Sequence, residues 1–156
     1  MKERYAYAHV RRLIDAPPAA VYAVLADYTQ HHPRIMPAAF FSELRVEAGG
    51  VGAGTVFHIT LRMMGWQQQL HMQVAEPQPG RVLTETNLDT GIVTVFTVTP
   101  GADETHTLVQ ISSEWVTDGG LRGLFERLVT PLLMRRIFAQ QLYKLDQYMH
   151  SREVAA

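Results

Sequence analysis

The sequence predicts an α+β fold in which a long C-terminal helix covers a curved antiparallel sheet of about seven strands. Three observations predict it. A strand-like segment opens the chain, six segments with a period of two residues occupy Phe40 to Val116, and a long segment of helical periodicity follows. Two short helical segments lie between the first strand and the other six, so the predicted order is β-α-α-β6-α.

The composition fits one domain spanning residues 1–156 and limits the classes of function. The chain is 47% apolar, carries a formal net charge of -1 and contains no cysteine. The missing cysteines exclude disulfide scaffolds, thiolate zinc sites and cysteine nucleophiles. The balanced charge creates no global field that would attract nucleic acid or an anionic membrane. No apolar run follows the N-terminal residues, so we expect no signal peptide, no membrane span and a cytoplasmic location.

Local residue types predict the first strand and the two short helical segments. Tyr5 to Ile14 mixes aromatic and β-branched residues, as strands do. Asp15-Ala16-Pro17-Pro18 then starts a helix, because proline suits the first helical positions and an acidic residue suits the positive end of the helix dipole. His31 to Pro37 is bracketed by prolines and predicts a helical turn or a loop. The first helix shows apolar residues at helical spacing, namely Val21, Val24, Leu25 and Tyr28.

Glycine and proline punctuation divides the central region into six strands. Along these strands apolar and polar residues alternate, which indicates that one face of the sheet is wet and the other is covered. The predicted turns are Ala48-Gly49-Gly50-Val51-Gly52, Met64-Gly65, Pro77-Gln78-Pro79-Gly80, Asp89-Thr90-Gly91 and Pro100-Gly101-Ala102-Asp103.

The covering element is a long amphipathic helix from Leu121 to about Met149. Pro131 lies inside it, so the helix either kinks there or restarts with Thr130 as the cap. The apolar residues that share one broad side are Leu121, Leu124, Phe125, Leu128, Leu132, Phe138, Ala139, Leu142, Leu145 and Met149.

Four segments carry a resemblance to a known superfamily. They are Ile14-Asp15-Ala16-Pro17-Pro18-Ala19-Ala20-Val21-Tyr22 with Leu25-Ala26-Asp27-Tyr28, the stretch from His32-Pro33 to Pro37, the turn Gly50-Val51-Gly52-Ala53-Gly54, and the helix from Pro131 to Leu145. Together they resemble the START-like (SRPBCC) superfamily, whose fold is the helix grip, and within it the bacterial polyketide cyclase/dehydrase group. The resemblance covers nearly the whole chain. It implies a cavity between sheet and helix that takes an apolar small molecule, and it does not indicate which molecule or whether chemistry follows.

The seven histidines show no spacing typical of a metal site, and we predict no metal. His31 and His32 are adjacent and would point about 100° apart on a helix, so we interpret them as surface-loop residues. No Gly-x-Ser-x-Gly turn is present, and the glycine-rich segment precedes a strand instead of a helix, so we predict no nucleophile motif and no cofactor. The histidines expected to face solvent from the strands are His9, His58, His71 and His106.

The hairpin around Asp89-Thr90 predicts one acidic side chain inside the cavity. A two-residue turn there pairs Leu83 with Phe96 and Glu85 with Thr94. This face carries the large apolar residues of the hairpin, whereas the opposite face is almost entirely valine and threonine, so we take the first face as the inner one. A carboxylate in an apolar environment must either take up a proton or find a cation. Glu85 is therefore the candidate catalytic acid or base.

Arg135 offers a cation, since helical spacing puts it on the apolar side of the C-terminal helix. One interpretation is that Arg135 holds an anionic group of a ligand while Glu85 acts as acid or base. The alternatives are a structural pair of Arg135 with Glu85 or Glu114, and a helix turned at Pro131 so that Arg135 faces water.

The inward faces of the strands and helix supply the predicted ligand-binding residues. Methionines add to this set, because flexible thioethers suit a pocket that adapts to its guest. The candidates are Phe57, Ile59, Leu61, Met63, Leu70, Met72, Leu83, Thr94, Phe96, Ile111, Ser113, Trp115, Arg135 and Phe138.

Three functions from different classes stay open. The first is a binder or carrier of a hydrophobic small molecule, such as a lipid, a quinone or an aromatic polyketide, which needs an apolar cavity with a few polar groups. The second is a polyketide cyclase or dehydratase performing aldol or dehydration chemistry, which needs a titratable group such as Glu85 in the cavity. The third is a protein- or ribosome-interaction module, which needs an exposed apolar or basic patch. We predict no nucleic-acid partner and no stable membrane insertion, and the sequence leaves the oligomeric state open.

Overall fold

The computed structural model describes residues 4–155, and side chains for residues 4–152. Its elements confirm the predicted order β-α-α-β6-α. In chain order they are β1 (Arg4–Ile14), α1 (Pro18–Ala26), α2 (His32–Ile35), β2 (Phe41–Ala48), β3 (Val56–Met63), β4 (Trp66–Gln78), β5 (Val82–Asn87), β6 (Val93–Pro100), β7 (Thr107–Thr117) and α3 (Gly120–Ala155).

All seven strands form one curved antiparallel sheet in the order β1-β7-β6-β5-β4-β3-β2, with β1 and β2 at the edges. Strands β2 to β7 therefore follow one another as a meander, and β1 closes the far side by pairing with β7 along its whole length. The long helix α3 packs mainly against β1, with further contacts to α2 and β7. This is the helix-grip arrangement, as the sequence predicts.

The turn between β5 and β6 has the predicted register. The Asn87 side-chain oxygen accepts hydrogen bonds from the backbone amides of Asp89 and Thr90, at 2.9 and 3.3 Å, which fixes a tight turn. As a result, Glu85 lies opposite Thr94 and Leu83 lies opposite Phe96. The inner face predicted for this hairpin is also correct, since the side chain of Glu85 is buried.

The core consists of the inner strand positions together with α1, α2 and the second half of α3. Burial of each large apolar side chain contributes about 1.5–3 kcal/mol relative to its exposure, so these contacts are the main stabilising term. The largest fully buried side chains are Tyr28, Phe57, Phe96, Ile14, Leu25, Ile35, Leu83, Ile111, Ile137, Leu142, Leu145 and His32.

The long helix is buried mainly over its second half. It runs through Pro131 without interruption from Gly120 to Ala155, so the restart at Thr130 is wrong. From residue 137 onward the buried side chains are Ile137, Phe138, Gln141, Leu142, Leu145 and Met149. Earlier in the helix Gly123 and Pro131 are buried, whereas Leu121, Leu124, Phe125, Leu128 and Leu132 are exposed. The predicted apolar side is thus wrong for the first half of the helix. Periodicity identifies residues that share a face, but it does not show whether another element packs on that face.

Candidate functional site

A cavity of about 90 Å³ lies between the inner face of the sheet and the second half of α3. Strands β3 to β6 supply most of its wall, and α3 and the segment after α2 close it. The side chains in the wall are apolar, apart from Glu85, Thr94 and Gln141. The lining residues are Met36, Phe41, Phe57, Ile59, Leu61, Leu70, Met72, Glu85, Thr94, Phe96, Met134, Ile137, Phe138 and Gln141.

The structure brings the central predicted site residues together and leaves others outside. Eight of the predicted ligand-binding residues line the cavity: Phe57, Ile59, Leu61, Leu70, Met72, Thr94, Phe96 and Phe138. Leu83, Ile111 and Ser113 are buried in the sheet away from it, and Met63 and Trp115 are half-buried beside the core. These residues lie on the inner face of the sheet, but at points along their strands that the cavity does not reach. Alternation predicts the face of a residue and not its position relative to the cavity.

Arg135 does not face the cavity, so that prediction is corrected. Its side chain is exposed, and its Nε donates to the carbonyl oxygen of Pro131 at 3.4 Å, one turn earlier in the same helix. Neither the ligand clamp nor a buried pair with Glu85 or Glu114 is formed. Of the three alternatives, the one in which Arg135 faces water is correct, because the part of α3 before residue 137 is mostly open to solvent.

Glu85 is the acidic side chain in the cavity wall, and only 7% of the residue is exposed. Its Oε1 accepts a hydrogen bond from the hydroxyl of Tyr28 at 2.6 Å. The Nε2 atom of His32 lies 3.4 Å from the same oxygen. Both contacts fall on Oε1, so Oε2 is the oxygen left for a bound molecule. We call Tyr28, His32 and Glu85 the Glu85 cluster.

Tyr28 stands behind Glu85 as a buried hydrogen-bond donor. Its ring stacks on the rings of His32 and Phe57, with centroid distances of 4.3 and 4.8 Å. Burial, and then the charge and hydrogen bond of Glu85, raise the pKa of the Tyr28 hydroxyl well above its usual value of about 10. Tyr28 therefore stays protonated and keeps donating to Glu85 throughout the neutral range.

His32 is fully buried, so its interpretation as a surface-loop residue is wrong. Its Nδ1 lies 2.7 Å from the carbonyl oxygen of Leu25, and a carbonyl only accepts, so Nδ1 carries a hydrogen. Nε2 is then the nitrogen that can gain or lose a proton. It has no hydrogen-bond partner, and it faces Glu85 Oε1. A proton on either Nε2 or Oε1 would allow a hydrogen bond between these two atoms.

The glycine-rich turn between β2 and β3 positions Tyr28. The backbone nitrogen of Tyr28 donates to the carbonyl of Gly50 at 2.8 Å, and the nitrogen of Gly52 donates to the carbonyl of Ala26 at 2.9 Å. Gly52 has a φ of 70°, and a Cβ atom there would come within 2.7 Å of a carboxylate oxygen of Glu76. Glycine is therefore favoured at this point, because any other residue would be strained by the positive φ and would have to displace the Glu76 carboxylate.

The cavity shares part of its wall with an open surface cleft of about 290 Å³. Met36, Phe41 and Ile59 line both spaces. Lys144 Nζ donates to the carbonyl of Met36 at 2.7 Å, and Gln141 Nε2 contacts its sulfur at 3.3 Å. Met36 is the flexible member of this shared wall, since a methionine side chain has three rotatable bonds.

Sequence reasoning missed Tyr28 and His32 as site residues. A usable signal existed, because His32 follows Tyr28 by four residues and so continues the apolar face of the first helix. It also missed several other cavity residues, namely Met36, Phe41, Met134, Ile137 and Gln141. Met36 and Phe41 lie in or beside an irregular segment, for which no periodicity exists.

A family model described as "Polyketide cyclase / dehydrase and lipid transport" matches residues 7–150. The chain belongs to this family. The family description names polyketide cyclases, dehydrases and lipid transport, and membership is in keeping with hydrophobic ligand binding or a cyclase-type role. No significant match is found among curated proteins.

Solved structures of the family fold resemble the chain over almost its whole length. The protein KanY is 30% identical, with a TM-score of 0.79 over 96% of this chain and 99% of that one. The aromatase/cyclase ZhuI from a Streptomyces species is 15% identical, with a TM-score of 0.77 over 96% of both chains. Norcoclaurine synthase from Thalictrum flavum is 14% identical, with a TM-score of 0.72 over 98% of this chain and 99% of that one. The last two show the shared fold alone.

Among the residues of this chain that the structure describes, no helix is both long enough and apolar enough to span a membrane.

Proposed function

We propose that the chain binds a hydrophobic small molecule in the cavity under the second half of α3, with Glu85 as the polar group that contacts it. The observation that carries this proposal is an apolar wall interrupted by Glu85, Thr94 and Gln141. Small-molecule sites generally combine a mostly apolar lining with a few polar groups that orient the guest. Membership of a family described by cyclases and lipid transport supports the same conclusion.

The size of the cavity narrows the class of guest. About 90 Å³ is well below the roughly 300–1,000 Å³ typical of sites for larger ligands. Met36, Met72 and Met134 can repack around a guest, and displacement of Met36 adds the neighbouring cleft. We therefore favour a lipid, quinone or aromatic polyketide that places a ring or a narrow chain in the cavity and the rest of the molecule in the cleft.

A cavity-filling substitution tests the binding proposal. Met134→Trp should lower the affinity for 2-naphthol at least about tenfold, because the added volume occupies the space of the guest. The matched control is Leu132→Trp, which makes the same kind of change two residues earlier on an exposed face of α3 and should bind like the wild type. Isothermal titration measures both, and circular dichroism checks that each variant folds. Equal affinity of Met134→Trp and the wild type would contradict the proposal.

A second candidate, an acid–base enzyme of the cyclase or dehydratase type, is favoured by the Glu85 cluster. Tyr28 fixes one oxygen of Glu85, and His32 Nε2 can hold a proton beside it. In a dehydration, the carboxylate would take a proton from the carbon next to a carbonyl. The carboxyl group would then return it to the departing hydroxyl, so that a carbon–carbon double bond forms and water leaves.

Glu85→Gln tests this second candidate with a control that the chain itself offers. Glu76 also accepts a hydrogen bond from a tyrosine, Tyr22, at 2.8 Å, but it does not line the cavity. With a β-hydroxy ketone that carries a phenyl ring as the probe, Glu85→Gln should abolish turnover while binding persists, and Glu76→Gln should change neither. Formation of the enone, followed by absorbance, is the measurement. Absence of turnover in the wild type, or equal losses in both variants, would contradict the enzymatic candidate and leave the binding proposal standing.

A further inference from the structure

Three potential metal ligands meet on the outer face of the sheet, opposite the cavity. His58 on β3 and His71 on β4 are directly opposite each other in the strand register, and Glu47 on the edge strand β2 reaches both. We call these three residues the outer triad. One donor atom from each lies within 4.8 Å of the other two. We propose that the outer triad binds a divalent transition metal such as Zn²⁺, with water in the remaining coordination position.

The distances within the outer triad are close to those of a coordination shell. Glu47 Oε2 lies 2.9 Å from His71 Nε2 and 3.6 Å from His58 Nε2. Around a tetrahedral zinc ion with bonds of about 2.0–2.1 Å, neighbouring donor atoms are about 3.4 Å apart. The two distances from Glu47 thus lie within about half an ångström of this spacing, and rotation of the side chains has to bring the two imidazole nitrogens around one ion.

The donor chemistry also fits. Two imidazoles and one carboxylate are ligands that zinc accepts, and three protein ligands with an open position are its usual arrangement outside closed structural sites. The two imidazole rings now stack in parallel, with centroids 4.3 Å apart and planes at 7°. Rotation about the last side-chain torsion, which is broad in histidine, turns the two lone pairs toward a shared ion.

The three residues of the outer triad lie on three neighbouring strands, so a metal bound there would link these strands. The pairing of β2 with β3 shifts its register twice, once before Arg45 and once after Val46, so this edge of the sheet is irregular. An ion held by β2, β3 and β4 together would fasten the edge strand to its neighbours. The neighbours of His58 in sequence, Phe57 and Ile59, point the opposite way and line the cavity, so the metal site is separate from the proposed ligand site.

Isothermal titration of the tag-free chain with zinc chloride tests the proposal. The wild type should bind one ion with a dissociation constant in the micromolar range, and His71→Gln should lose at least about tenfold in affinity. The matched control is His106→Gln, because His106 is half-buried like His58 and His71 and lies beside two carboxylates, Asp15 and Asp103, but has no second histidine within the group. This control should bind zinc like the wild type.

Hydrogen exchange gives a second readout that does not depend on the variants. Zinc should slow amide exchange in Phe41–Ala48 selectively, because the ion ties the edge strand to β3 and β4. Circular dichroism checks that His71→Gln is folded. The proposal is overturned if the wild type shows no one-to-one binding, if His71→Gln binds as tightly as the wild type, or if exchange in β2 is unchanged at saturating zinc.

Discussion

At the scale of single residues, Glu85 shows how a buried acid is made tolerable. Removing a carboxylate from water is costly unless hydrogen bonds replace the lost solvation. The hydroxyl of Tyr28 donates one such hydrogen bond to Glu85 Oε1 at 2.6 Å. His32 Nε2 lies 3.4 Å from the same oxygen, so a proton on either atom would form a second one. Glu85 is therefore accommodated without an arginine or lysine partner. The prediction of Arg135 assumed that such a partner was necessary, and it was wrong for this reason.

Tyr28→Phe should destabilise the protein by about 1–3 kcal/mol at neutral pH, because it leaves a buried acceptor on Glu85 without its donor. The pKa of Tyr28 is raised in the folded state by burial and by Glu85, so folding favours the protonated hydroxyl. Its contribution is fully present below about pH 10 and is lost as the pH rises toward the folded-state pKa. The stability difference between wild type and Tyr28→Phe should therefore shrink above pH 10, as measured by urea unfolding at a series of pH values. A difference that stays constant or grows would contradict this account.

At the scale of elements, α3 divides into two halves with different surroundings. From residue 137 onward its inner face is buried against the sheet, β1 and α2. Before that, Leu121 is 86% exposed and Leu132 is 61% exposed. The same helical periodicity runs through both halves, so burial differs although the sequence pattern does not.

Amide hydrogen exchange should separate the two halves of α3. We expect amides between residues 121 and 132 to exchange at least about tenfold faster than those between 137 and 149, because few buried contacts oppose local opening of the first half. Exchange measured by NMR on the same sample provides its own internal control. Uniform protection along the whole helix would show that the exposed leucines are held by contacts that the structure lacks.

The hairpin β5–β6 and the helix α3 show where sequence reasoning succeeds and where it does not. In the hairpin, the predicted register is correct, and the register determines which face Glu85 shares with Phe96. The predicted two-residue turn is wrong, because the amide of Gly91 donates to the carbonyl of Asn87 and the amide of Leu88 donates to that of His71 on β4. The alternation of faces along both strands is a local rule, and the structure confirms it. The burial of α3 depends on how far the sheet extends under it, which is a tertiary property with no local signature.

At the scale of the whole molecule, the order of elements and their periodicities predicted an antiparallel sheet covered by a long helix, and the resemblance to the START-like superfamily identified this layout as the helix grip. The general location of the cavity follows from that fold, and eight predicted residues line it. The residues that surround Glu85 from α1 and α2 could not be predicted in the same way, because Tyr28 and His32 reach it from a different layer. The outer triad was missed for the same reason, since His58 and His71 meet only through strand pairing.

The central claim is that a hydrophobic molecule occupies the cavity between the sheet and α3. Methionine methyl NMR tests it most directly, because Met36, Met72 and Met134 line the cavity while Met64 is 79% exposed on the turn between β3 and β4. Addition of 2-naphthol to a sample labelled at the methionine methyl groups should shift the signals of the three cavity methionines and leave that of Met64 unchanged. Shifts confined to Met64, or no shift at any of the three, would contradict the claim.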